Sequence, residues 1–505
     1  MMTGPGDEKA AGGSVRGHLR ASDADREQVI AALRAAFIQG RLTRDEFDLR
    51  LGRALGARTY AELAALTADI PAGPTSPVAR NAPQACTRLR RRRRAAGIAA
   101  AAAFIALIAA LIPTLTATFG RSGPAGHESH ATVYVAYYII HGVKGSGAVI
   151  PINTATNQAG KPIRVNTGQI TINPDGKTAY AVNEAAGTVI PIRTAANTPG
   201  QPIHVARRPP SFGPHSIGPD FVAITPDGRT GYVADPGMNT VIPISMATGT
   251  AGKPIHLPQG GYGPDWIAIT PDGKTAYVAN DSQPGTITPI STATNQAGKP
   301  IRVGGAFPSQ IAITPDGKTA YVLGRSTGGH TKGKVTPVHT ATNTPGKPIY
   351  LPWLRGKGST GIAIAITPDG KTAYVSTDYP RTVVPIRTAT NTAGKPITIN
   401  SPDPLDGGEI AITPDGKTAY VLSGGNSVIP IRTATSRAGQ PIRLGSSCRG
   451  ALLAVPEFRM VITPDGKTAY VACEGAVVPI RTATNTVGKP IHIPLGYAMG
   501  IAITP

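Results

Sequence analysis

The segment ITPDGKTAYV, or a near copy of it, returns at intervals of 44 to 53 residues through most of this 505-residue chain. Its tyrosine falls at Tyr180, Tyr232, Tyr277, Tyr321, Tyr374, Tyr420 and Tyr470, with a looser opening copy around Tyr134. A unit of that length cannot bury its own apolar face, so the copies must stack on one another as a solenoid or a ring.

Between successive copies lie two further β-favouring pieces, such as VIPI from Val189 and KPIRV from Lys161. Each unit therefore supplies four short strands, the arrangement of a propeller blade. The turn chemistry agrees. In Pro226-Asp227-Gly228 the proline presets φ and the glycine is free to take φ > 0, and TATNTAGKP from Thr388 makes another turn. Composition fits as well, since 60 Gly and 48 Pro against 8 Phe and 2 Trp suit short strands and tight turns.

An open solenoid needs polar capping repeats at both ends, and none is visible. The chain ends instead on Ile501-Ala502-Ile503-Thr504-Pro505, one strand into a new unit, while residues 132–165 form a unit lacking only its first strand. The sequence thus predicts a mainly β protein. Residues 131–505 are to form a propeller of eight four-stranded blades closed by the C-terminal strand, or seven if the loose first unit is peripheral.

The repeats resemble the YVTN family of β-propeller repeats through the pattern that stands almost unbroken from Ile269 to Ile301. The resemblance implies the propeller fold. It leaves function open, because related propellers include adhesins, surface-layer proteins, sensor ectodomains and some enzymes.

In such a blade the first-to-second and third-to-fourth turns share one face, and the remaining connections share the other. The second face holds the length variation and the unusual side chains, which marks it as the binding face. Arg207, Arg208, His215, Tyr262, Trp266, Trp353, Arg355, Lys357 and Tyr379 are the candidate binding residues there. Cys448 and Cys473 fall on the same face in neighbouring strands and are a disulfide candidate in an oxidising compartment.

No Gly-x-Ser-x-Gly elbow, phosphate loop or His-Glu-x-x-His helix occurs. The reading is a protein that is not an enzyme, with no catalytic residue, cofactor or metal. Its rival is a propeller hydrolase or lactonase with a central metal, for which Asp220, Asp265, Asp403, Asp406 and Glu409 are candidate ligands. A passive surface layer is a third reading.

Ahead of the repeats, residues 95–119 begin with AAGIAAAAAFIALIAALI. At about 1.5 Å per helical residue, some 20 such residues match a hydrocarbon core of roughly 30 Å, so a transmembrane helix is expected. Arg88 and Arg90 to Arg94 on its N-terminal side predict that the N-terminus stays in the cytoplasm and the propeller lies outside. These arginines also place part of the net charge of +21 at a membrane flank, so no nucleic-acid partner is expected.

Residues 1–19 read as disordered, 72–94 as a linker with the Arg cluster and 120–130 as a stalk. Residues 20–71 carry three helix-start pairs, Ser22 with Asp25, Thr43 with Glu46 and Thr59 with Glu62. They predict a small three-helix cytoplasmic domain. LRASDADRE from Leu19, GRLTRDEFDLRL from Gly40 and ARTYAELAALTADIP from Ala57 resemble the SHOCT-like domain of unknown function 1707, which implies placement at the N-terminus of an actinobacterial membrane protein.

Together these features predict a single-pass cell-membrane protein. Its extracytoplasmic propeller would bind or sense an unknown envelope ligand or protein, or an anionic cell-envelope polymer.

Overall fold

Each repeat folds into an antiparallel sheet, and the computed structural model contains eight of them. It describes residues 131–139, 146–206, 220–258, 261–304, 307–324, 333–352, 361–377, 381–399, 407–423, 426–445, 448, 460–494 and 497–505. Near the N-terminus it describes 59–70 together with Val29, Leu33, Glu46, Arg50, Arg53, Ala54 and Ala57. The chain divides into two units, residues 1–128 and 129–505.

In the second unit the third sheet shows the plan. Its strands Phe221–Ile224, Thr230–Asp235 and Thr240–Ser245 pair in sequence order. The fourth strand, read from the sequence as continuous, is two short pieces, Thr250–Ala251 and Ile255–His256, both paired to Thr240–Ser245. The break falls opposite Pro243. Its carbonyl accepts the Gly252 N–H at 2.7 Å, so its nitrogen, which has no hydrogen to give, faces the same gap. A proline can thus sit in the third strand without orphaning a partner.

The turn preceding the second strand is held by its own side chains. Thr225 Oγ1 donates to Asp227 Oδ1 at 2.6 Å, and that oxygen also accepts the Arg229 N–H at 3.0 Å. The hydroxyl in turn accepts the Thr230 N–H at 3.0 Å, and Gly228 takes φ +69°. In the preceding blade Thr194 Oγ1 donates to Gly176 O at 2.7 Å, joining its two turns and placing them on one face.

Second strands are buried on both sides because each sheet is sandwiched between two others. Val233, Tyr232 and Ala234 show no exposure. The buried apolar side chains form eight clusters, one at each interface between adjacent blades. The repeated tyrosine crosses that interface. Tyr232, Tyr277 and Tyr321 donate to Asn295, Asn343 and Asn391 of the next blade, the first two at 2.6 Å. Those asparagines have φ of 53–54°, a left-handed geometry that Asn tolerates better than most residues.

Closure follows the expected plan. The C-terminal strand Tyr497–Ile503 pairs with Thr132–Ile139, so the first blade is built from both ends of the unit. Tyr470 of the last repeat donates to Asn157 of the first at 2.6 Å, so the same contact spans the closure.

In the first unit one helix, α1 (Tyr60–Ala65), is continuous among the described residues, and the other two expected helices fall largely outside them. Thr59 caps it by accepting the Glu62 N–H at 3.4 Å. Leu33, Ala54, Ala57, Leu63 and Leu66 form a small core. The apolar run 95–119, with its linker and stalk, lies outside the described residues. Among the described residues no helix is long and apolar enough to cross a membrane.

Candidate functional site

First strands touch first strands all the way around the ring, so they wall the central channel. Each runs from the variable face toward the Pro-Asp-Gly turns. Two residues before the closing position, six first strands carry Ala223, Ala268, Ala312, Ala365, Ala411 and Ala502, with Thr171 in the second blade and Val461 in the eighth. Apart from the Thr171 hydroxyl, this ring offers no nucleophile, ligand or side-chain hydrogen bond.

Nearer the variable face the chemistry changes. Four residues before the closing Thr stand Phe221, Trp266, Gln310, Ala363, Glu409 and Gly500, with Gln169 in the same register of the second blade. Phe221 and Trp266, on adjacent blades, stack with ring centroids 4.6 Å apart and planes tilted by 33°. Immediately before them come Asp220 and Asp265, both half-buried.

Farther round, polar side chains tie neighbouring blades together. Gln310 Oε1 accepts the Ile364 N–H at 3.0 Å, and Glu409 Oε2 accepts the Met460 N–H at 2.9 Å. Ser376 Oγ donates to Gly408 O at 2.8 Å. Gln169 Oε1 is buried and meets no donor among the described residues. The mouth of the channel therefore combines an aromatic step, two carboxylates and an open amide acceptor.

Of the residues singled out from the sequence, Trp266 and Tyr262 lie in the strand Gly261–Ile269 and not in a connecting loop. Arg207, Arg208, His215, Trp353, Arg355, Lys357 and Tyr379 lie outside the described residues, as do Asp403 and Asp406. Cys448 and Cys473 are joined by a disulfide, with Cα atoms 5.0 Å apart, tying the segment after the seventh blade to the second strand of the eighth. Among the described residues no group of three or more His, Cys, Asp or Glu is placed to hold a metal, so Asp220, Asp265 and Glu409 do not form the ligand set of the hydrolase reading. Phe221 and Gln310 were missed. The signal was present as variation at one register position inside otherwise uniform first strands.

The fold and this site define a class, a β-propeller with chemistry gathered at one mouth of its channel. Residues 19–71 are a DUF1707 SHOCT-like domain. Two uncharacterized proteins of Mycobacterium tuberculosis, from strains CDC 1551 / Oshkosh and ATCC 25618 / H37Rv, are each 47% identical over 58 residues. That match covers 12% of this chain and 29% of each relative.

Among solved structures, the chain is similar to dihydro-heme d1 dehydrogenase NirN in complex with DHE, with TM-score 0.54 and 14% identity, over 73% of this chain and 75% of that one. It is also similar to Kuenenia stuttgartiensis hydrazine synthase, with TM-score 0.48 and 20% identity, over 65% of this chain and 96% of that one. A functionally unknown protein from Desulfotomaculum acetoxidans matches with TM-score 0.46 and 18% identity, over 65% of this chain and 99% of that one.

The first of these similarities corrects one expectation. The chain was read as not an enzyme because it lacks familiar catalytic motifs. The fold is shared with a dehydrogenase, and missing motifs of other folds do not exclude catalysis on a propeller.

Proposed function

We propose that the chain is a membrane-anchored cell-envelope protein, with residues 95–119 as its anchor and the DUF1707 domain inside as a three-helix bundle. Its propeller, of the YVTN kind, lies outside and recognises an envelope ligand, polymer or protein. The carrying observation is that one ring of the channel wall is alanine in six of the eight blades, whereas Phe221, Trp266, Asp220 and Asp265 crowd its mouth. Side chains required only for blade packing would repeat from blade to blade, and these do not.

Two further facts support the reading. The Cys448–Cys473 disulfide suits an oxidising compartment outside the cytoplasm. The arginines before the apolar run favour an N-terminus inside.

The test uses detergent-solubilised full-length protein and envelope fractions at low and high salt. Native protein is expected to be retained, and a variant with Trp353, Arg355 and Lys357 changed to Ala is expected to lose retention. Equal retention of both proteins overturns placement of the site on the variable face, and no retention of either overturns envelope recognition.

A further inference from the structure

Charge in the propeller is sorted by radius. From the start of the third strand to the end of the fourth, the eight blades together contain fifteen Lys and Arg and no Asp or Glu. The turns between first and second strands hold the compensating kind of charge. There Asp272, Asp316 and Asp415 each pair with the Lys two residues on, at 3.3–3.7 Å.

Among the described residues the outer cations have no such neighbours. Arg164, Arg302 and Arg443 occupy one position on the fourth strand, exposed and without an ion pair among the described residues. His204, His256 and His492 fill that position in three other blades. Where the fifth blade puts Tyr350 there, a cation stands directly opposite on the third strand, as Lys334. The seventh blade goes further. Arg432 lies directly across from Arg437 on adjacent strands, and both are exposed. Like charges in that relation repel, and a bound anion relieves the repulsion.

We propose that the outer edge of the propeller is a docking belt for a linear phosphate-backbone polymer, a role distinct from that of the channel mouth. The inference rests on the envelope reading only for where such a polymer is met. Separated cations, at least one on every blade, suit a chain of charges, because they are spread around the edge instead of gathered to enclose one small anion. The guanidinium fork at Arg164, Arg302, Arg432, Arg437 and Arg443 matches phosphate oxygens in pairs.

The test measures binding of detergent-solubilised full-length protein to immobilised linear polyphosphate across a salt series. The edge variant carries Arg432→Gln, Arg437→Gln, Arg443→Gln, Lys161→Gln and Arg164→Gln. These side chains are exposed, so an unchanged melting temperature serves as the folding control. Its affinity is expected to fall by about tenfold or more, with a shallower dependence on salt. The variant with Trp353, Arg355 and Lys357 changed to Ala is expected to bind polyphosphate as the native chain does.

Native affinity in the edge variant overturns the proposal. So does competition by inorganic phosphate at equal phosphate concentration, or equal binding of polyglutamate. Retention on envelope fractions is read separately. If the edge variant loses polyphosphate but stays on envelopes, the belt stands and the envelope ligand sits elsewhere; if native protein binds polyphosphate but no envelope fraction, the belt stands and the envelope reading falls.

Discussion

At the scale of single residues, the asparagine of the TATN turn does two jobs at once. It adopts a left-handed backbone and offers its amide oxygen to a buried tyrosine on the preceding blade. Asn343 does this for Tyr277 at φ +53°. Replacing it with Gly keeps the turn and removes the bond, for an expected loss of about 1 kcal/mol in denaturant unfolding. Asn343→Ala adds left-handed strain and is expected to cost about 2 to 3 kcal/mol. A variant pair of equal stability would show that the backbone geometry is not what the asparagine supplies. The second blade provides the converse, because the position corresponding to Asn343 next to Tyr180 is Gly249, at φ +64° beside the Ile203 side chain. This relay was not legible in the sequence. Its partners stand 63 to 70 residues apart, and nothing local in TATN announces a distant hydroxyl.

At the scale of turns and strands, the Pro-Asp-Gly repeat was read as a backbone device, and its side chains prove equally important. Six turn carboxylates, Asp227, Asp272, Asp316, Asp369, Asp415 and Asp465, are held below the usual carboxylate range, first by the Thr hydroxyl and then by the backbone N–H two residues on. A carboxylate whose folded pKa is depressed stabilises the fold above its unfolded value of about 3.9. That contribution is lost as pH falls through the lower folded value. Melting temperature is therefore expected to drop below about pH 4, and changing Thr270, Thr314 and Thr367 to Val should flatten the drop. An unchanged acid limb in that variant would remove the turns as its cause. The broken fourth strand was harder to foresee. KPI reads as strand by composition, but the preceding Gly-Lys-Pro must detour around a proline on the neighbouring strand, a constraint set by pairing. Pro and exposed Lys on that outermost strand also discourage pairing with another sheet.

At the scale of the whole molecule, eight interface clusters and no common core make the propeller a chain of nearest-neighbour contacts whose stability depends on the circle being shut. The repeat period, the missing first strand of residues 132–165 and the surplus strand at the C-terminus made closure legible before any coordinates. The mouth of the channel was not, because its residues diverge between copies and only their shared register gathers them. Four contacts seal the ring: the pairing of Tyr497–Ile503 with Thr132–Ile139, the Thr132 N–H on Thr504 Oγ1 at 2.8 Å, the Thr504 N–H on Thr132 O at 3.0 Å, and Tyr470 on Asn157. Removing residues 496–505 eliminates the first three and leaves Tyr470 on Asn157 as the only one of the four. It also uncovers the edge of Thr132–Ile139, whose Val133, Tyr134 and Val135 are otherwise buried. Such an edge pairs with other chains. The truncated protein is expected to unfold at lower denaturant with a broader transition and to self-associate in light scattering. Were it to remain monomeric with the native midpoint, the remaining blade contacts would suffice, and the terminal strand would be an ornament of the ring instead of its clasp.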